Sequence, residues 1–336
     1  MTLKIELPAN GTAEITTTIE AAEQPENAIA DVAVTGTPQE QPAKEQVIWP
    51  LFLKNATQQA IKERLSSEIS EILKVHGLEH DCCLAILEPQ DSIDTFDLDQ
   101  IFTALNENNP HHIKRVVLFV ISAGGSIEPA YQISKLCKSF ALAQFIVVVT
   151  RHAKSAATMV AIGADEIHMG PLGQLGPIDP QIGGLPALGV SQALKTIASV
   201  AQRYPGSAEM FAKYLRMTLT VEQIGYCDRI SESAVQYAQR LLSTKPSLVS
   251  AASRIAKELV YEYKDHGFVI DVDEAKKHLG EDWIKTGTPE LKAAEHIYTL
   301  LELINFFLKG AQSKRVLISG CPSQPTSVLV LDIDPN

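Results

Sequence analysis

The sequence has no dense run of lysine and arginine, and its formal net charge is −11 over 336 residues. This disfavours a general nucleic-acid-binding role, because such proteins present clustered positive charge to phosphate groups. Nucleotide-binding motifs are also missing, since no G-x-G-x-x-G follows a predicted strand and no P-loop occurs. We therefore expect neither a nucleic-acid partner nor a cofactor.

Cysteine is scarce as well, with five residues scattered along the chain and no C-x-x-C pair. That spacing argues against both a structural zinc site and a disulfide framework. Reduced, buried thiols are typical of a cytoplasmic protein, which is the location we predict. No metal site is expected.

Long apolar runs are absent too. Uninterrupted apolar runs such as Val116–Ile121 and Phe145–Val149 are far short of the ~20 residues that a membrane-spanning helix needs. No apolar segment of the kind found in a signal peptide follows Lys4. We expect no integral membrane segment.

The first 46 residues differ from the rest of the chain. They hold eight acidic residues and four prolines but no aromatic residue. Such a segment buries too little apolar area to offset the entropy lost on ordering. Residues 1–46 are therefore predicted to be an acidic disordered tail, with at most a short edge strand near residues 4–7.

The remainder reads as an α/β protein. Apolar strands without polar alternation are predicted at 82–87, 116–121, 145–150 and 166–169. A helix is predicted before them at 56–75, and further helices are predicted between them at 98–106, 129–140 and 155–164. Strands of this kind are covered on both faces, and their alternation with helices predicts a parallel sheet with right-handed crossovers. After a loop at 170–189 the chain is mostly helical, at about 191–203, 207–217, 220–243, 247–263, 272–279 and 289–309. We assign one domain to residues 47–310 and a C-terminal β-like extension to residues 311–336.

Three segments follow predicted strands, where open α/β sheets place their active sites. They read I-S-A-G-G-S-I at 121–127, A-K-S-A-A-T at 153–158 and L-G-P-I-D-P-Q at 175–181. The pair Gly124 and Gly125 can turn backbone N–H groups into a cavity, which suits an oxyanion hole. Ser155 would begin a helix, at the positive end of its dipole. Two prolines stiffen the loop around Asp179.

Each segment alone also fits a structural role. Ser155 could cap its helix, the glycine pair could form an ordinary turn, and Asp179 could be a turn residue.

Together the segments I-S-A-G-G-S-I-E-P-A-Y-Q-I, H-A-K-S-A-A-T-M-V-A-I-G-A-D-E-I-H-M and L-G-Q-L-G-P-I-D-P-Q-I-G-G-L-P-A resemble the serine dehydrogenase proteinase family. This is a Clp-fold serine peptidase group related to signal peptide peptidase A. The resemblance runs from about residue 82 to 310. It implies a Clp-protease/crotonase-like α/β fold for the 47–310 domain, with a parallel sheet, crossover helices and a helical C-terminal portion. It also implies a homo-oligomer that hydrolyses peptide or protein substrates through an acyl-enzyme.

By this resemblance Ser155 occupies the nucleophile position, and Gly125 and Ala156 occupy positions that supply oxyanion N–H groups. Asp179 stands 24 positions after Ser155, where Clp protease has its histidine, so a Clp-type Ser-His-Asp triad is not evident. Signal peptide peptidases of this fold use a lysine base instead. Lys195, 40 positions after Ser155, is the first candidate.

Lys195 has the apolar neighbours Leu194, Ile197 and Ala198, which would permit the desolvation that a neutral lysine requires. A solvated helix lysine is the alternative interpretation. A second candidate for the site is His266, which begins the weaker matching segment H-G-F-V-I-D-V-D-E-A-K-K.

The sequence departs from the family pattern at Ala123, where a proline is usual, and at Ala156 and Ala157 after the serine. The missing Clp-type histidine and the acidic tail favour a second hypothesis, a non-catalytic Clp-fold scaffold that binds a peptide or protein partner. A crotonase-like acyl-CoA enzyme is a third, although basic residues for the nucleotide phosphate are not identifiable.

Overall fold

The computed structural model describes residues 49–88, 91–107, 113–182 and 185–333. Eleven α-helices are described there: α1 Trp49–Asn55, α2 Gln58–Val75, α3 Thr95–Glu107, α4 Ile127–Phe140, α5 Ala156–Ala161, α6 Ala187–Arg203, α7 Ala208–Thr218, α8 Val221–Leu242, α9 Ala252–Lys257, α10 Val272–Leu279 and α11 Pro289–Gln312. The strands are β1 Cys82–Glu88, β2 Arg115–Ser122, β3 Gln144–Ala153, β4 Glu166–Met169, β5 Gln174–Leu175, β6 Gln181–Ile182, β7 Leu185–Pro186, β8 Ile284–Lys285, β9 Lys314–Gly320 and β10 Val328–Asp332. The predicted acidic tail, residues 1–46, lies outside the described residues.

A mixed sheet with the order β10-β9-β1-β2-β3-β4-β8 forms the centre of the domain. The strands from β1 to β8 along this path run parallel to one another, and β5 adds a short parallel pair to the end of β3. β9 runs antiparallel to β1, and β10 antiparallel to β9. The carboxyl ends of β1, β2 and β3 therefore lie side by side at one edge of the sheet.

The apolar strands are covered on both faces, as their sequence predicted. In β1, Cys82, Leu84 and Ile86 belong to one buried cluster, which includes residues of α3, α4, α5, α8 and α9. The alternate residues, Cys83, Ala85 and Leu87, belong to a second cluster with α1, α2 and α11. The strand thus contributes to two cores at once, which explains why no position in it is polar before Glu88.

Most predicted elements are confirmed, and the differences are local. The helix predicted at 247–263 is divided: α9 ends at Lys257 and a single π-helical turn, Glu258–Glu262, follows. Short strands β5, β6 and β7 form inside the predicted loop at 170–189. The β-like segment predicted as a C-terminal extension joins the central sheet as β9 and β10, which add two antiparallel strands beside the parallel ones.

No helix in the described ranges is both long and apolar enough to cross a lipid bilayer. The apolar face of α11 is instead part of the core, because Ile297, Leu301, Ile304 and Leu308 are all buried.

A buried charge network joins α11 to the strands. Glu290 forms an ion pair with Arg115, and Arg115 also contacts Asp81 at 3.0 Å. The other carboxylate oxygen of Glu290 lies 3.5 Å from Nδ1 of the buried His168. Hydrogen bonding to His168 is the largest cause that lowers the pKa of Glu290 to about 2, and the Arg115 hydrogen bond lowers it further against the opposing effect of burial.

We predict that Glu290→Gln destabilises the fold by about 2 kcal/mol at pH 7, because it removes one of the two carboxylates that pair with Arg115 and the charged partner of the buried His168. The folded-state pKa is depressed, so this stabilisation is present above the unfolded pKa near 4.5 and is lost as the pH falls toward about 2. Urea unfolding at pH 7 and pH 3 measures it. Glu302→Gln, an exposed change on the same helix, is the control; equal stability of the two variants at pH 7 would contradict the prediction.

Candidate active site

Ser155 stands at the turn between β3 and α5, with φ 52° and ψ −116°. A non-glycine residue with positive φ is strained, and such strain is concentrated at functional sites. The predicted alternative was that Ser155 caps its helix. Ser155 does occupy the N-cap position, but its side chain makes no capping hydrogen bond. The residue is only 7% exposed, so it is buried although its hydroxyl does not cap the helix.

The turn after β2 lies directly against this serine. Gly124 has φ 125°, and a Cβ atom built on it would lie 2.7 Å from the Cβ of Ser155. Gly125 has φ 145°, and its Cβ would lie 2.3 Å from the carbonyl oxygen of Ile93. Ile93 clamps this turn by donating to Gly124 O at 2.8 Å and accepting from Ser126 N–H at 2.8 Å. The glycine pair is therefore required by close backbone packing at both positions.

The three predicted oxyanion donors differ in availability. Gly124 N–H donates to Ser122 Oγ at 3.2 Å, so it is already engaged. Ala156 is the first residue of α5, where the N–H group has no acceptor within the helix. Among the described residues, Gly125 N–H donates none of the backbone hydrogen bonds found outside the strands and helices. Gly125 and Ala156 are thus the pair that could face a developing oxyanion, with Gly124 shaping the turn.

Asp179 and His266 come close together in the fold. Asp179 Oδ2 lies 3.8 Å from His266 Nδ1, although 87 positions separate the two residues in the sequence. Asp179 is 8% exposed, and both its Oδ1 atom and His266 Nδ1 are buried without a hydrogen-bond partner among the described residues. The two groups face each other slightly beyond hydrogen-bond distance. A small movement of either loop would bring Asp179 Oδ2 within hydrogen-bond distance of His266 Nδ1.

One cavity of about 860 Å³ unites these groups. Ser155, the Gly124–Gly125 turn and His266 all line it, and α8 forms the opposite wall. The remaining lining residues are Ser92, Ala123, Ser126, Ile127, Glu128, Pro180, Gln181, Tyr226, Arg229, Ile230 and Ser233. A cavity of this size accommodates several residues of an extended peptide.

Lys195, the first candidate for the base, is not brought to this cavity. It is exposed on α6 and does not occur among the described lining residues. The apolar neighbours that suggested desolvation do not enclose it in the single chain. His266 is the candidate base that the structure places in the same cavity as Ser155.

The opposite end of α5 is held by a buried lysine. Lys245 Nζ donates to the carbonyl oxygens of Ile162 and Ala164 and lies 3.6 Å from the centre of the Trp283 ring. Burial lowers the pKa of Lys245 to about 7. These contacts satisfy carbonyl groups beyond the last turn of the helix that begins after Ser155.

We predict that Gly124→Ala destabilises the protein by about 2 kcal/mol or more, because the new methyl group must displace Ser155. Gly280→Ala is the matched control, since Gly280 also has positive φ (97°) but meets nothing within 4 Å. Thermal unfolding measures both variants. The same loss of stability in both would show that the contact with Ser155 contributes nothing.

Glu88 ends β1 at the same edge and is 4% exposed. Burial, followed by Asp97, Asp91 and Asp94, raises its pKa to about 8. Since the folded-state pKa is raised, the folded protein retains a proton that the unfolded chain loses. Stability should therefore fall as the pH rises from about 4.5 to about 8.

Glu88→Gln removes this titration and should raise the free energy of unfolding at pH 9 by about 2 kcal/mol or more, with little change at pH 5. Urea unfolding across this range measures it, with the exposed Glu107→Gln as control. If the free energy of unfolding at pH 9 is higher for the wild type than for Glu88→Gln, the prediction is wrong.

Comparisons with known proteins place this geometry in context. A model of the ClpP-like SDH-type serine proteinase family matches residues 54–325. The uncharacterized protein MJ0137 of Methanocaldococcus jannaschii is 27% identical over 267 residues, which cover 76% of this chain and 85% of that protein.

The chain is also similar to two solved structures. The 1510-N membrane protease specific for a stomatin homolog from Pyrococcus horikoshii is 15% identical, with a TM-score of 0.35 and coverage of 66% of this chain and 77% of that one. ClpP1 from Listeria monocytogenes is 16% identical, with a TM-score of 0.39 and coverage of 65% and 99%.

Proposed function

The chain belongs to the ClpP-like SDH-type serine proteinase family, and on that premise we propose that it is a serine peptidase with Ser155 as nucleophile. The match to the family model confirms the family and the Clp-type α/β fold that were predicted from the sequence. The proposed reaction is hydrolysis of a peptide bond through an acyl-enzyme on Ser155.

The observation that carries this proposal is the setting of the Ser155 side chain. It stands on a strained turn, makes no capping hydrogen bond to its helix, and lines the same cavity as a histidine. A purely structural serine would relieve the strain or use its hydroxyl. The arrangement is the one expected of a nucleophile held for reaction.

The proposed chemistry follows from the orientation of His266. Its Nδ1 atom faces Asp179, which leaves Nε2 to accept the proton of Ser155 as the hydroxyl oxygen attacks the peptide carbonyl carbon. Asp179 would orient the imidazole and stabilise its charged form. Gly125 N–H and Ala156 N–H would donate to the oxyanion. His266 then returns the proton to the leaving amine, and water releases the acyl group with His266 again as base.

The choice between His266 and Lys195 as the base rests on position. A catalytic base must come within hydrogen-bond reach of the nucleophile, directly or through one water. His266 lines the Ser155 cavity, whereas Lys195 is exposed on α6. We therefore propose His266, and the same experiment tests Lys195.

Labelling by a fluorophosphonate probe, followed by peptide mapping, tests the proposal. We expect a single adduct on Ser155, none in Ser155→Ala, and a labelling rate reduced about 100-fold or more in His266→Gln and Asp179→Asn. Lys195→Met should label at nearly the wild-type rate. Cleavage of a fluorogenic peptide library by the same variants should follow the same order.

The control is His80→Gln, which changes a histidine that is 93% exposed. If Lys195→Met abolishes labelling while His266→Gln retains it, the lysine is the base and the proposed mechanism is wrong. If folded wild-type protein reacts with no probe and cleaves no peptide, the peptidase proposal itself fails.

A non-catalytic scaffold is the second candidate function. The observation that favours it is the 3.8 Å separation of Asp179 and His266, which are not hydrogen-bonded. If the protein is a scaffold, the Ser155→Ala variant should still bind peptides. The wild-type protein should then never form an acyl-enzyme. Isothermal titration of cavity-sized peptides, alongside the labelling experiment, separates the two functions.

A homo-oligomer remains part of the proposal. The exposed apolar side chains of α7, such as Met210, Tyr214 and Met217, are consistent with a covered surface between copies. Light scattering on the purified chain measures its mass directly.

A further inference from the structure

The loop that carries His266 is joined to the nucleophile turn by one side chain, Lys154. Its Nζ atom donates to the carbonyl oxygen of Gly267 at 2.7 Å. Lys154 directly precedes Ser155, and Gly267 directly follows His266. This hydrogen bond thus links the immediate neighbours of the proposed nucleophile and the proposed base.

The lysine stem also contacts the third element of the site. A Cβ atom built on Gly176 would lie 3.0 Å from Lys154 Cγ and 3.1 Å from its Cβ, so the stem lies flat against Gly176. Gly176 begins the short loop that leads to Asp179. One side chain therefore touches the segments of all three proposed catalytic residues.

The backbone of Lys154 is itself fixed. Its N–H donates to Ser122 O at 3.1 Å, and its carbonyl accepts from Ala157 N–H at 2.9 Å. Lysine side chains are flexible, but here the first part of the stem is confined between a fixed backbone and Gly176. The ammonium group is therefore directed at one acceptor.

The His266 loop has other anchors at its ends. Ile270 exchanges two backbone hydrogen bonds with Leu175, at 2.9 and 3.0 Å, and the tilted rings of Tyr263 and Phe268 pack with their centres 4.8 Å apart. These contacts keep the loop folded onto the domain. Next to the imidazole itself, Asp265 Oδ1 accepts from Gly267 N–H at 2.6 Å within the loop, and Lys154 bonds to Gly267 O from outside the loop.

We propose that Lys154 is a positioning residue, which holds the His266 loop in register with Ser155 and Asp179 through its bond to Gly267. The inference rests on the proposed function, because it assigns Lys154 a role in placing the proposed base. Lys154 does not touch the reacting atoms. Its loss should therefore weaken catalysis by displacing His266, without removing the nucleophile.

Lys154→Met tests this most sharply, because methionine preserves much of the stem on Gly176 and removes the ammonium donor. We expect fluorophosphonate labelling of Ser155 to slow at least tenfold, since small displacements of a catalytic group have large effects on rate. Peptide turnover should lose kcat with little change in KM. Lys154→Arg, which restores a donor, should recover most of the rate, and the exposed Lys74→Met should match wild type.

A double-mutant cycle separates positioning from general destabilisation. If Lys154 acts through His266, Lys154→Met should cost little further labelling in a His266→Gln background. Multiplicative losses in the double variant, or an unchanged rate in Lys154→Met, would overturn the inference. A drop in thermal stability equal in Lys154→Met and Lys154→Arg, with equal rates, would also overturn it.

A readout independent of catalysis keeps this inference distinct from the proposed function. The imidazole resonances of His266 in two-dimensional NMR should shift in Lys154→Met and return in Lys154→Arg. If wild type is never labelled, the peptidase proposal fails, and the NMR result alone decides the role of Lys154. Unchanged His266 resonances in Lys154→Met would refute that role.

Discussion

The contact between the Gly124 backbone and Ser155 is the constraint on which the site depends. Three parallel strands end at one edge of the sheet, and the turns that follow them must share a small space. The turn after β2 fits only because Gly124 has no side chain, and Ile93 from the turn after β1 clamps it in place. Ser155 is held at positive φ in this crowded corner, with its side chain facing the cavity.

The site consequently has two halves with different mechanical support. Ser155, Ala156 and the glycine turn belong to strand ends and a fully buried helix, which are the most rigid parts of an α/β domain. Asp179 belongs to a loop that packs on the π-helical turn at 258–262, where Leu259 O accepts from Ile178 N–H, and His266 belongs to the loop that follows this turn. The half that holds the proposed nucleophile is thus fixed by the core, whereas the half that holds the proposed base depends on a few loop contacts such as those of Lys154.

Much of the fold could be predicted from the sequence, because apolar strands and helical periodicity are local signals. The same signals placed Ser155 at a strand-to-helix turn. The proximity of Asp179 and His266 could not be predicted, because a contact between residues 87 positions apart produces no periodic pattern in the sequence. Apolar neighbours made Lys195 attractive, yet whether they enclose it depends on tertiary packing, and α6 leaves it exposed. The engagement of Gly124 N–H by Ser122 was equally invisible, because it depends on the exact course of one turn.

The central claim is that Ser155 attacks carbonyl carbon with help from His266, Gly125 and Ala156. A crystal structure of the protein treated with a peptide boronic acid or peptide aldehyde tests this claim most directly. We predict a covalent bond from Ser155 Oγ, an inhibitor oxygen about 2.7–3.1 Å from Gly125 N and Ala156 N, and His266 within hydrogen-bond distance of the adduct. An adduct on another residue, or an inhibitor oxygen turned away from both N–H groups with His266 remote, would contradict it.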